Sequence, residues 1–101
     1  MVAFEVTCYL GRQISISENY WDLIITVKHP SMAQCEEQVK ETLKNPEQIR
    51  RSKKDYTVYL YYKKYDEFHM VVVCKHLNGT GFIITTYRTD RIKEGEQIWK
   101  K

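Results

Sequence analysis

Three stretches, "TVYLYYKK", "FHMVVVCKHL" and "GFIITTYRT", fill most of the second half of the chain with β-branched and aromatic residues. Such residues fit the pleated, half-buried surface of a sheet. The last two stretches are joined by "NGTG", where Asn78 and Gly79 suit the positive φ angles of a tight hairpin turn. The run "MVVVC" is apolar on both faces, which predicts a middle strand. The second half is therefore expected to form an antiparallel meander, and the first half has to cover it.

The opening "AFEVTCYL" alternates Phe4, Val6 and Cys8 with polar neighbours, as a half-buried strand does. Gly11 and Arg12 supply a turn, and "QISIS" a short returning strand. A helix is expected next, capped by Ser15 with Glu18 or by Ser17. Tyr20, Leu23, Ile24 and Val27 recur at helical spacing, with Trp21 and Ile25 widening the stripe, although "LIITV" is β-branched enough to be a strand. Pro30 ends that segment. Ser31 and Gln34 open a second helix whose Met32, Cys35, Val39 and Leu43 share a face, and "NPEQ" closes it. The tail "DRIKEGEQIWKK" has no clear period and is left unplaced. The expected fold class is α+β: two N-terminal helices, after a short β-hairpin, packed on a mainly antiparallel sheet. With no repeat or linker, residues 1–101 read as one domain.

A hydrophobic fraction of 43% with 29% charged residues fits a folded globular chain. The net charge of +3 permits a nucleic-acid partner without requiring one, since clustering matters more than the sum. No apolar stretch reaches bilayer length, and "MVAFEVTCYLGRQ" shows no secretory signal. Three scattered cysteines, Cys8, Cys35 and Cys74, argue against a disulfide framework and for a reducing cytoplasm. The "NGT" glycosylation match is then accidental.

His29 stands at the end of the first expected helix, where an imidazole serves as a proton carrier or simply as a cation on the helix dipole. Ile83, Thr85, Tyr87 and Thr89 alternate onto one face of the last strand, an odd set for a core. They suit a phosphate, or else an ordinary solvated strand with cross-strand pairs; Lys75, one strand over, reaches the same face if the register allows. Arg50, Arg51, Lys53 and Lys54 precede a tyrosine-rich strand that includes Tyr61. Cations beside aromatic rings suit single-stranded RNA, with phosphates on the cations and bases on the rings; the alternative is a solvated edge protected from aggregation. Cys74 and His76 share a strand face but lack further metal ligands, and no metal or cofactor motif is present.

The segments "ISENYWDLIITVKHPSM", "VKETLKNPEQIRRSKKD", "VYLYYKK", "VVVCK" and "GFIITTYRTDRIKEGEQIW" resemble, in order and over nearly the whole chain, the phage-associated branch of the barnase–EndoU–colicin–RelE group of nucleases. The resemblance implies a metal-independent endoribonuclease, a toxin of a toxin–antitoxin pair, whose partners are RNA and a small cognate antitoxin. It implies proton transfer by His29, phosphate neutralisation by Arg51 and Arg50, and orientation by Thr85 and Tyr87. From the cation–aromatic pattern, Arg50, Lys53, Lys54 and Tyr61 gain RNA-binding roles, with Lys75 a further candidate at the phosphate. Some members carry a second histidine where this chain has Leu23, and many carry alanine at the position of Thr86. The first difference bears on proton transfer, and a non-catalytic RNA- or protein-binding domain of the same fold is the alternative.

Overall fold

The computed structural model describes residues 1–92 and 94–101. Its strands are β1 (Val2–Thr7), β2 (Gln13–Ser17), β3 (Gln48–Arg51), β4 (Val58–Tyr65), β5 (Phe68–His76), β6 (Thr80–Thr89) and β7 (Glu96–Lys100). Among the described residues they form one sheet in the order β1-β2-β6-β5-β4-β3-β7. The meander β4-β5-β6 is its centre, as the β-branched runs require. Asp66 and Gly79 take positive φ in its two turns, at 51° and 81°. Asn78 does not, so the "NGTG" turn uses one left-handed residue rather than the expected two.

The N-terminal hairpin, turned at Gly11, joins the sheet through a short parallel pairing of Gln13–Ser15 with Thr80–Phe82. At the far side β3 pairs with β4, and β7 pairs with β3. Two helices, α1 (Glu18–Leu23) and α2 (Glu36–Lys44), lie on one face. Between them run a π-helical segment, Ile24–Lys28, and a 3₁₀ turn, Pro30–Met32. Trp21, Ile24, Met32, Val39 and Leu43 pack against Ile14, Ile49, Tyr61, Val72, Cys74 and Ile83 to make the main core. A smaller cluster of Leu60, Tyr62 and Val71, flanked by Val73, Tyr87 and Ile92, lies on the other face, termed here the outer face.

This overturns the expected fold class. Strand residues outnumber helical ones by 47% to 23%, the sheet is mixed with seven strands, and the helices are short. Two stretches assigned no strand, "QIRR" and "EQIWK", become β3 and β7 and widen the sheet. The first helix is also cut short. Ser17 caps it, accepting from the Tyr20 amide, but the π segment shifts the helical phase after Leu23. Val27 ends 70% exposed instead of facing the core, while Trp21 and Ile24 are buried. The second helix keeps its expected face, with Val39 and Leu43 fully buried, but its N-cap is Cys35 instead of Ser31, four residues late, and the buried Met32 lies in the 3₁₀ turn before it. Among the described residues no helix is long and apolar enough to cross a membrane.

Candidate functional site

The site begins with an irregularity in β6. Cys74 pairs with Ile83 and Val73 pairs with Thr85, so Ile84 is an extra residue in the strand. Such a bulge breaks strict alternation and re-aims the side chains that follow. Ile83 therefore enters the main core, whereas Thr85, Tyr87 and Thr89, paired with Val73, Val71 and His69, sit on the outer face. The expectation that Ile83 shares the face of these three is corrected by this one residue.

The same place fixes the histidine. Pairing with β2 stops at Phe82, which leaves the rest of that β6 edge outside the ladder. The segment linking α1 to α2 runs along it. The Tyr20 hydroxyl donates to the Ile84 carbonyl, and Arg88 Nη2 donates to the Ser31 carbonyl at 3.4 Å. Held between these two ties, the half-buried His29 ring lies 5.6 Å from the Tyr87 ring, centroid to centroid, at a tilt of 34°. Burial raises the Tyr87 phenol above its ordinary pKa, and the nearby Glu94 carboxylate raises it further. The Thr85 hydroxyl is enclosed with no hydrogen-bond partner among the described residues.

His69 belongs to the same constellation, and sequence reasoning missed it. Tyr87 pairs with Val71 and Thr89 with His69, so His69 is the diagonal neighbour of Tyr87 on the outer face. Diagonal neighbours lie about 7–8 Å apart, within reach of long side chains. A bulge-free count from the turn would have paired Tyr87 with Met70 on the helix side, which hides the relation. Glu94 was missed for a simpler reason: it sits in a loop of a tail with no period.

The arginines do not join this group. Because β3 is a strand, Arg50 and Arg51 point to opposite faces. Arg50 is on the outer face, but its Nε donates to Gln48 Oε1 at 2.9 Å and its Nη1 to the Gly95 carbonyl at 3.1 Å. It holds a loop, and β3 lies three strands from β6, about 14 Å away at sheet spacing. Arg51 faces the helix side, with Nε on the Tyr56 carbonyl at 2.9 Å and its guanidinium 5.5 Å from the Tyr59 ring. The expected arginine beside His29 is thus absent from that position. Tyr61 is also corrected: it is fully buried, its hydroxyl donating to Cys8 Sγ at 3.1 Å and meeting His76 Nε2 at 2.9 Å, so no base can stack on it.

The lysines divide. Lys53 and Lys54 are exposed and line a depression of about 420 Å³ over Leu60 and Val73, which places them on the rim of the outer face. Lys75 is on that face too, level with Phe82, but ion-paired to Asp55 at 3.5 Å. The outer face thus carries an imidazole, a phenol and hydroxyls at its β6 side, an apolar floor, and cations at its β3–β4 end. Comparison of the chain with protein-family models, curated proteins and solved structures found no match.

Proposed function

We propose that the outer face binds single-stranded RNA and that His29, His69 and Tyr87 cut it without a metal. The 2′-hydroxyl attacks the adjacent phosphorus as one imidazole takes its proton. The O2′–P bond forms, the P–O5′ bond breaks, and the other imidazole, as imidazolium, protonates the departing 5′ oxygen. The products are a 2′,3′-cyclic phosphate and a 5′-hydroxyl. Tyr87 donates a hydrogen bond to the phosphoryl oxygens, where charge builds up in the transition state. The His29–Tyr87 contact on a hydroxyl-bearing strand face is the observation that carries this reading.

The resemblance to the nuclease group supports the same chemistry, although the seven-stranded mixed sheet departs from the pair of helices and four-stranded antiparallel sheet that the resemblance implies. As a toxin the chain would be held inactive by a small antitoxin, acidic to complement Lys53 and Lys54. Its three free thiols suit the reducing cytoplasm where such a pair acts. The test is incubation of the purified protein with an oligoribonucleotide, followed by mass analysis of the ends. Cyclic-phosphate products are expected, with a loss of roughly 100-fold or more in His29→Ala and Tyr87→Phe. Cleavage untouched by both substitutions overturns the site.

A second reading is favoured by the position of the arginines. Without Arg50 or Arg51 beside His29, the face would bind RNA and leave it intact. Salt-sensitive affinity with no cyclic phosphate, even at excess protein, selects that reading.

A further inference from the structure

A cavity of about 660 Å³ lies where β2 parts from β6. Its walls include Val2, Ser15, Ser17, Tyr20, Phe82 and Ile84. Ser15 pairs with Phe82 and Val2 with Ser17, and all four point away from Ile14 and Phe4 toward the outer face. Ile16, Ile83 and Tyr20 line the cavity from the helix-side core, so it sits at the gap in the sheet between the two faces. Phe82 is 42% exposed there, a large ring left out of the core.

We propose that this cavity is a nucleobase pocket, filled by a base of the RNA strand whose backbone crosses His29 and Tyr87. The proposal rests on the RNA reading above and adds a subsite to it. Two aromatic rings supply flat faces for stacking. Tyr20 is braced: its hydroxyl donates to the Ile84 carbonyl and receives Lys28 Nζ at 3.0 Å, and that ammonium also stands 5.0 Å from the ring centroid. The bracing lowers the ordering cost of binding and leaves a cation beside the ring for a phosphate. The Ser15 hydroxyl, on the same wall, is a small donor and acceptor suited to a base edge. With Ile84 bulged, Phe82 and Tyr87 stand opposite Lys75 and Val71, about 13 Å apart along β6 at strand rise, close enough for one short strand of RNA to occupy both places. A mostly apolar pocket with few polar groups is the usual form of a small-ligand site.

The probes are the four free nucleosides and two short oligoribonucleotides, one intact and one with a single abasic position. Methyl shifts at Val2, Ile83 and Ile84 report the pocket. Expected are nucleoside shifts confined to those methyls, binding of the intact strand about tenfold tighter than the abasic one, and loss of that difference in Phe82→Ala. Phe82→Tyr retains it, whereas Phe82→Leu, which keeps apolar bulk without a ring, loses most of it. If RNA is cut while nucleosides leave the methyls unmoved and the abasic strand binds as well, the pocket falls and the nuclease stands. Nucleoside shifts with no cleavage keep the pocket and remove the nuclease. Neither binding nor cleavage removes both.

Discussion

His76 shows how a titratable side chain is disposed of when it is not needed at a surface. Its ring stacks on Tyr59 at 3.8 Å and is only 6% exposed, with Nε2 against the Tyr61 hydroxyl. With the Tyr61 proton on Cys8 Sγ, Nε2 is the donor and Nδ1 the enclosed acceptor that has no partner among the described residues. Burial, helped by Arg12 and Arg51, lowers its pKa from 6.5 to about 4. A depressed histidine pKa means that the unfolded chain binds the extra proton first. Stability therefore falls as pH drops from about 6.5 to about 4 and is flat with respect to this group below that. The total is about 3 kcal/mol. Urea denaturation of His76→Phe, which keeps a ring against Tyr59, is expected to lose that slope; an unchanged slope refutes the assignment. Thr85 poses the opposite case. Its unpartnered hydroxyl costs folding energy, so Thr85→Val is expected to raise stability by about 1 kcal/mol. If RNA draws on that hydroxyl, cleavage falls in the same variant. Equal stability and full activity would mean that the hydroxyl has neither role.

At the scale of elements, β6 positions the whole site. Gly81 lets it lie between two neighbours: a Cβ there would meet the Lys75 carbonyl oxygen at 2.5 Å and Ile14 Cδ1 at 2.8 Å. One of those contacts is backbone and cannot swing away. Gly81→Ala is therefore expected to destabilise the protein by about 1–3 kcal/mol, read as a lower urea midpoint with the same slope. An unchanged midpoint would mean that β2 and β5 are more loosely joined to β6 than their registers indicate. The meander, the place of its second turn at Gly79 and the core face of α2 were legible because β-branched runs, turn residues and helical spacing are local signals. The bulge at Ile84 was not, since nothing in "GFIITTYRT" marks which residue goes unpaired. Its consequence is large, because it sets His69 and Tyr87 on one face. β3 was hidden for another reason. Four residues dense in charge read as a solvated patch, and only the apolar Ile49, fully buried, shows that they are a strand. Once they are a strand, Arg50 and Arg51 must part.

That parting decides where a polyanion can run across the whole molecule. A chain of net charge +3 has no single-signed surface, so the placement of a few cations matters more than their number. Besides Lys64, which is exposed and paired with His69, Arg50 is engaged with Gln48 and the Gly95 carbonyl and Lys75 with Asp55, which leaves Lys53 and Lys54 as exposed cations at the β3–β4 rim of the outer face. Arg51, with Tyr56 and Tyr59, forms a separate cationic–aromatic group on the helix side. Each phosphate neutralised on a single strand contributes about 0.7 to the slope of log affinity against log salt. Replacing both lysines by serine is expected to lower that slope by about 1.4, while Arg51→Ser leaves it unchanged. Measured by titration at several salt concentrations, the two variants report which face the strand crosses. Should Arg51→Ser shift the slope and the lysine pair leave it alone, RNA passes over the helix side, away from His29 and Tyr87, and the outer face is not the active one.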